Sequence, residues 1–245
     1  MKGMILAAGL GTRLRPLTDD RPKALVEIGG HAMLEIALAR LRSFGIREVI
    51  INVHHFADMI VEYLSQHGNF GMHIAVSRED DLLDTGGGLK KAAWFFQQDS
   101  GDDALLLHNV DVLSDIDLAQ LVEFHRDHQA LATVAVQQRA SSRQLLFDDQ
   151  GLLCGRRFEK EQRPKLARKA EPLHTLAFCG IHVISPRLLK MMTETGAFSI
   201  IETYLRLAAH GERILAFRAD NSYWQDLGTL ESLKQASKDA PHLAS

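Results

Sequence analysis

A glycine loop backed by cations is the stretch of this chain best equipped for chemistry. The segment Lys2 to Leu6 runs into Ala7-Ala8-Gly9-Leu10-Gly11-Thr12-Arg13-Leu14-Arg15-Pro16, and Arg21-Pro22-Lys23 follows. Glycine carries no Cβ, so the backbone can bend sharply and approach a ligand closely. Successive N–H groups in such a loop can form a concave anion site. Arg13, Arg15 and Lys23 add fixed positive charge. Together these features point to a polyphosphate. Two familiar phosphate loops do not fit. The segment lacks the Gly-Lys-Ser/Thr ending of a P-loop. Leu14 stands where the dinucleotide fingerprint requires a third small residue.

Other segments offer complementary groups. Leu105-Leu106-Leu107-His108-Asn109-Val110-Asp111 is an apolar stretch ending in a carboxylate. An Asp at the end of a central strand stands in the ligand crevice of an open α/β sheet. There it can hold Mg²⁺ together with phosphate oxygens; the alternative use of Asp111 or Asp115 is to cap the next helix. Tyr223-Trp224-Gln225-Asp226-Leu227-Gly228-Thr229 supplies a second carboxylate, with a buried Trp beside a helix cap as the alternative. Asp84-Thr85-Gly86-Gly87-Gly88 reads as a second glycine loop opening a helix, able to lie against a flat ring or simply to start the helix with Thr85 as cap. The histidines show no zinc spacing, and His54-His55 and His125-x-x-His128 read as polar surface or capping residues. Cys154 and Cys179 form neither a metal motif nor a disulfide framework, so buried free thiols are expected, with a single disulfide as the alternative.

The elements that must position these groups alternate through the first half. Apolar runs at Met4–Ala7, Val49–Val53, His73–Val76, Ala104–Leu107 and Ala132–Val136 read as strands. Helical spacing falls between them at Ala32–Phe44, Ala57–Leu64, Gly88–Phe96 and Leu118–His128. Such alternation predicts an α/β domain with a mainly parallel, mixed central sheet flanked by helices. After about Arg139 the pattern changes. Gln144–Phe147 and Leu152–Cys154 read as a hairpin, and Arg156–Pro172 as a charged, exposed loop. Ala177–Ile184 and Ile214–Arg218 read as strands, and Ile200–Ala209 and Leu230–Ser237 as helices. One domain, 1–245, is expected, its pattern dividing into halves at 1–138 and 139–245.

Composition limits the partners. The net charge of −3 lacks the basic excess of a general nucleic-acid binder. The N-terminal run meets glycine and arginine too soon for a signal-peptide core, and no apolar stretch is long enough to span a bilayer. A cytoplasmic protein without a nucleic-acid or membrane partner is expected; oligomeric state stays open.

The ordered motifs resemble those of the sugar-1-phosphate nucleotidylyltransferases, the enzymes that make nucleoside-diphosphate sugars. The likeness rests on the opening loop with Pro22-Lys23, on Asp84-Thr85-Gly86-Gly87-Gly88, on Phe178-x-Gly180-Ile181, on Gly196-Ala197-Phe198 and on Trp224-x-Asp226-x-Gly228-Thr229. It spans almost the whole chain and implies a Rossmann-like nucleotidyltransferase fold. It places the nucleotide against Ala7, Ala8, Gly9, Gly11, Thr12, Arg13, Lys23, Thr85, Gly86, Gly87 and Asn109. It places the sugar near Phe178, Gly180 and Glu202, with Ala197-Phe198-Ser199 close by. It gives Arg13 and Lys23 to the phosphates, and Asp111 and Asp226 to Mg²⁺. There are departures: Asn109-Val110 stands where a glycine often precedes the Asp, and the charged segment 156–172 is long. The implied reaction joins a nucleoside monophosphate to a sugar 1-phosphate. UTP with N-acetylmuramate 1-phosphate, in cell-wall recycling, is the first expectation; GTP with a mannose- or heptose-type phosphate is the alternative. Another acceptor, such as phosphocholine or the molybdenum cofactor, or a silent nucleotide-sugar-binding regulator, are further readings. The chain ends without the β-helical extension of acetyltransferase relatives, so no acetyl transfer is expected.

Overall fold

The computed structural model describes residues 1–97 and 103–239. In chain order its strands are β1 (Gly3–Leu6), β2 (Glu27–Ile28), β3 (His31–Ala32), β4 (Glu48–Val53), β5 (His73–Arg78), β6 (Leu105–Asn109) and β7 (Val112–Ser114). Then come β8 (Ala132–Gln137), β9 (Arg143–Phe147), β10 (Leu153–Phe158), β11 (Lys165–Leu166), β12 (His174–Ile184), β13 (Ile214–Arg218) and β14 (Trp224–Asp226). The helices are α1 (Met33–Ser43), α2 (Ala57–Gln66), α3 (Asp84–Lys91), α4 (Ala93–Phe96), α5 (Leu118–Asp127), α6 (Arg187–Met191), α7 (Ile200–Ala209) and α8 (Leu230–Asp239).

A mixed ten-stranded sheet organises the chain, in the order β11-β10-β9-β12-β6-β1-β4-β5, with β8 beside β12 and β13 beside β8. The ladders β6-β1-β4-β5 are parallel. The long strand β12 joins them antiparallel to β8, β9 and the β10–β11 edge. Both faces of the sheet are covered. Along β4, Val49, Ile51 and Val53 enter one apolar core with α1 and α5, while Ile50 enters the other with α3, α4 and α7. That two-sided burial is why the strands read as continuous apolar runs. Each fully buried Leu or Ile contributes about 1.5–3 kcal/mol relative to exposure.

The sheet register sets up the site. Leu6 pairs with Asn52 on one side and Asn109 on the other, so these residues form one row at the carboxyl ends of the parallel strands. A separate two-stranded ladder, β7 with β14, brings Asp226 opposite Val112, next to Asp111.

Three expectations need correction. The segment 156–172 is not one exposed loop: β10 continues through Phe158, and β11 adds an edge to it. Arg156 is largely buried there because Glu161 (2.6 Å) and Glu202 (3.2 Å) take up its charge. The pairing is long-range, so the local sequence shows charge and no period. Second, Thr85-Gly86-Gly87-Gly88 is no loop; it forms the first turns of α3, and the helix breaks at Ala92 instead of running from Gly88 to Phe96. Third, His125 is a core residue, 4% exposed, against the Thr133 hydroxyl at 3.0 Å.

Candidate active site

The glycine loop leaves β1 and closes on itself. Gly11 has φ +65°, and a Cβ there would stand 3.0 Å from both Lys23 Cβ and Thr18 Cγ2. Any side chain would therefore meet both strain and a clash. Thr18 Oγ1 donates to the Gly11 carbonyl at 2.9 Å and fixes the turn. Thr12–Leu14 makes one tight turn in which Leu14 is fully buried and Arg13 is left in solvent. A second turn, Lys23–Leu25, starts after Pro22 and turns Lys23 inward. Arg15 pairs with Asp19 at 3.3 Å and does not line the cavity.

Four charged groups meet at this loop. Lys23 Nζ donates to Asp111 Oδ2 in a pair that is nearly buried. Arg13 Nη2 lies 3.9 Å from Asp226 Oδ1, with both side chains well exposed. The two carboxylates are tied together through the backbone: Leu227 N–H donates to the Asp111 carbonyl at 2.8 Å. Gly228 N–H donates to Asp226 Oδ1 at 2.9 Å. A cavity of about 440 Å³ opens here, bordered by Gly9, Gly11, Thr12 and Arg13 on one side and Asn109 and Asp111 on the other.

Neither carboxylate is spent on capping. Asp117 caps α5, accepting from Ala119 and Gln120, and Asp115 accepts from the Tyr223 N–H at 2.7 Å. Among the described residues no group of three His, Cys, Asp or Glu side chains stands together as a metal cage. Two hard-oxygen carboxylates beside an anion loop are the donor set of a Mg²⁺ completed by phosphate oxygens and water. The residues present therefore fit that ion.

The far wall is built by two helix starts that cap each other. Gly86 and Gly87 N–H donate to the Phe198 carbonyl, at 2.9 and 3.3 Å. In return Thr85 Oγ1 accepts from Ile200 N–H at 3.0 Å, at the start of α7. Asp84, Thr85 and Ala197 line the cavity. The glycines of α3 serve close packing: a Cβ on Gly86 would enter the Phe198 ring, and one on Gly87 would lie 2.6 Å from the Gly196 carbonyl. Ala8 borders the cavity, whereas Ala7 uses its N–H on Asn52.

On the remaining side Gly180, φ +73°, abuts Asn109; a Cβ there would lie 2.9 Å from Asn109 Nδ2. The β8–β12 register slips between Phe178 and His182, freeing two carbonyls. Arg139 Nη2 takes that of Phe178 (2.9 Å) and Trp224 Nε1 that of Cys179 (2.7 Å), while the guanidinium lies 3.6 Å from the Trp224 ring centre. This clamp joins the Gly180 strand to the strand that bears Asp226. Glu202 does not line the cavity; Arg156 and Lys165 hold its carboxylate, and they keep it below the usual carboxylate range even though burial pushes the other way. Cys154 and Cys179 are buried free thiols, and burial pushes Cys179 up to about 12.

Sequence reasoning missed Arg139, Asn52 and Glu79. Asn52 leaves a signal, an amide inside the apolar run Val49-Ile50-Ile51-Asn52-Val53. Arg139 leaves none, because its partners are carbonyls freed by a distant bulge.

Comparison with known proteins bears on the family and the fold. The family model described as "Nucleotidyl transferase" matches residues 2–242. N-acetylmuramate alpha-1-phosphate uridylyltransferase of Caulobacter vibrioides is 31% identical over 92% of this chain and 90% of its own. Mannose-1-phosphate guanyltransferase of Yarrowia lipolytica is 30% identical over 93% of this chain, which spans only 61% of that longer relative. UTP–glucose-1-phosphate uridylyltransferase of a Synechocystis strain is 30% identical, and again the chain spans only 62% of it. In fold, HddC of Yersinia pseudotuberculosis complexed with GMP-PN superposes with a TM-score of 0.77 at 21% identity, covering 98% of this chain and 99% of that one. UDP-glucose pyrophosphorylase complexed with UDP-glucose gives 0.78 at 18%, covering 98% of each. The chain belongs to the nucleotidyl transferase family, and the three relatives named above are sugar-1-phosphate nucleotidylyltransferases.

Proposed function

We propose that this chain transfers a nucleoside monophosphate from a nucleoside triphosphate to a sugar 1-phosphate and releases pyrophosphate. One observation carries the reading: Arg13, Lys23 and Asp111 border one cavity against a glycine loop, with Lys23 paired to Asp111 and Arg13 to Asp226 just behind the lining. A sugar-phosphate oxygen attacks the α-phosphorus and forms the new P–O bond. The α–β bridging bond breaks, and its electron pair leaves with pyrophosphate. The attacking oxygen is already anionic, so no general base is required. Catalysis comes from alignment and from cations placed where charge develops. The loop N–H groups cradle the triphosphate. Arg13 steadies its oxygens with a planar fork, and Lys23 acts as a point charge held inward. Asp111 and Asp226 would hold Mg²⁺, which supplies Lewis-acid and template chemistry when bound.

Residues 1–138 would then serve the nucleotide and 139–245 the sugar, within one domain. For the substrate pair, UTP with N-acetylmuramate 1-phosphate is favoured by a relative of nearly equal length. That choice carries with it a cytoplasmic role in cell-wall recycling. GTP with mannose 1-phosphate is the second reading, supported by the guanyltransferase relatives from Yarrowia lipolytica and Mycobacterium tuberculosis. Pyrophosphate release across four triphosphates and a panel of sugar 1-phosphates, with Mg²⁺, decides between them. One productive pair is expected. Nucleotide binding without release from any pair would favour a silent regulator.

A further inference from the structure

From the cavity floor, where Asn52 is one of the lining residues, a largely buried chain of hydrogen bonds runs inward and touches none of the four charged groups. Asn52, near the end of β4, is 2% exposed, and Glu79, just after β5, is 4% exposed. Ala7 N–H donates to Asn52 Oδ1 at 2.8 Å. Asn52 Nδ2 donates to Glu79 Oε1 at 2.7 Å. Leu83 N–H donates to Glu79 Oε2 at 2.9 Å. The Glu79 backbone is itself fixed, with its N–H on the Val53 carbonyl (2.8 Å) and its carbonyl against His54 Nδ1 (2.9 Å).

Both ends of this chain are backbone donors, so the order of groups is forced. Asn52 must turn its oxygen to Ala7 and its amide to Glu79, and Glu79 must accept twice. Gly88 seals it from α3: a Cβ there would stand 2.6 Å from Asn52 Nδ2 and 2.7 Å from Glu79 Oε1. Burying a carboxylate is costly unless hydrogen bonds satisfy it. Apolar residues would fill the same space without that cost, but they would not fix a distance. Ala7 opens the glycine loop, and Leu83 directly precedes α3.

We propose that Asn52 and Glu79 are positioning residues for the nucleoside triphosphate. They lock the phosphate loop to the start of α3, so that the two ends of one nucleotide meet a rigid frame. This rests on the nucleotide-binding reading given above. Glu79 borders no part of the cavity and acts only through its neighbours.

A charge relocation tests it. Asn52→Asp sets a second carboxylate against Glu79, and like charges at that distance repel. Glu79→Gln leaves one N–H facing another N–H, and an unsatisfied buried donor is costly. The double variant Asn52→Asp/Glu79→Gln restores every link. The new carboxylate at 52 accepts from Ala7 and from the new amide at 79, whose oxygen accepts from Leu83. Calorimetry with UTP and GTP in Mg²⁺ reads binding in all four proteins, beside thermal midpoints and the KM for the sugar 1-phosphate.

Each single variant should weaken triphosphate binding by about tenfold or more, with the sugar-phosphate KM little changed; the double should return to within about threefold of the parent. Singles that bind as the parent does overturn the proposal. So does a folded double no better than the worse single, or an equal loss for both substrates. Where a single variant fails to fold, the double decides alone: parent-like binding supports the chain of bonds, and weak binding refutes it. A parent protein that binds triphosphate and transfers to no sugar phosphate sinks the transferase reading while leaving the binding test intact.

Discussion

The two polar systems of this molecule are built on opposite rules. At the cavity mouth, Arg13 and Asp226 stand 3.9 Å apart in partial solvent, and Lys23 leans on Asp111. Each of these groups can exchange its partner for a phosphate or a metal ion. At the floor, Asn52 and Glu79 are almost fully buried, Asn52 bordering the cavity and Glu79 behind it, and each hydrogen bond has one fitting partner. The Arg13–Asp226 pair is exposed, and such pairs are worth little, about 0–1 kcal/mol, so exchanging it costs little; Lys23 and Asp111 are nearly buried, so an incoming phosphate or metal charge must replace each lost partner. A buried network loses the full desolvation penalty when one link breaks. The mouth is arranged to change partners, and the floor is arranged to keep them.

The largest expected effect breaks the mouth. Asp111→Asn and Asp226→Asn keep size and remove ligand charge, so turnover should fall by about a hundredfold or more, the scale of losing a main electrostatic stabiliser. Circular dichroism should show an unchanged fold. The two should differ in stability. Asp111→Asn strands a nearly buried Lys23, whereas Asp226→Asn leaves an Arg13 that water already solvates. Thermal midpoints should therefore fall more for Asp111→Asn, because an unpaired buried charge is penalised. Near-parent turnover at limiting Mg²⁺ in either variant removes that residue from the metal site.

Next comes the shape of the phosphate-binding cation. Arg13→Lys keeps the charge but loses the fork. Turnover should drop by about a hundredfold with little change in thermal midpoint, since Arg13 is exposed. Lys23→Ala should shift more of its loss into apparent triphosphate affinity. Parent-like kinetics in both would reduce the glycine loop to a structural turn.

The mouth was legible in the sequence and the floor was not, for a physical reason. Gly11, Arg13 and Lys23 stand in one short glycine-and-cation stretch, and Asp111 and Asp226 at strand ends, where local pattern marks them as candidates; resemblance to the family's motifs assigned their roles. Strand and helix positions followed from apolar period; Ile200–Ala209 and Ile214–Arg218 fall where that spacing puts them. Asn52 and Glu79 lie 27 positions apart, and only strand register makes them neighbours. Strand register also brings Arg139 to Phe178, and Arg156 on β10 meets Glu202 only because α7 packs against that strand. The glycines of α3 misled because helix propensity argues against them, at about 1 kcal/mol each. Close contact with Phe198, Gly196, Asn52 and Glu79 decides instead.

Acid sharpens the contrast through the histidines. Burial pushes His108 down to about 4, His125 down to about 4 and His182 down to about 3. Their folded values lie below the unfolded value of about 6.5. The unfolded chain therefore takes up protons first as pH falls. Their stabilisation is complete above about pH 6.5 and drains away below it, toward the folded values, at up to about 2 kcal/mol each by pH 5. Urea midpoints should fall steeply from pH 7 to pH 5. His125→Asn should flatten that slope by roughly a third, since three similar groups share it. An unchanged slope would mean that His125 takes up its proton equally in the folded and the unfolded chain.

The smallest effect belongs to the reciprocal cap on the far wall. Thr85 Oγ1 accepts from Ile200 N–H, so Thr85→Val keeps shape and leaves that donor without its partner. Losing a helix cap costs about 0.5–2 kcal/mol. Ser199 still accepts from Ile201 N–H, which argues for the lower end of that range. Thr85→Ser keeps the hydroxyl and should retain most of the stability. The kinetic readout separates two jobs for this side chain. If Thr85 serves only the cap, Thr85→Val lowers the thermal midpoint by a few degrees and leaves the triphosphate KM alone. If the hydroxyl also meets the nucleotide, KM rises in Thr85→Val and recovers in Thr85→Ser. Because Thr85 lines the cavity while Gly86 and Gly87 donate their N–H groups to Phe198, the second outcome is expected, with a change of only severalfold.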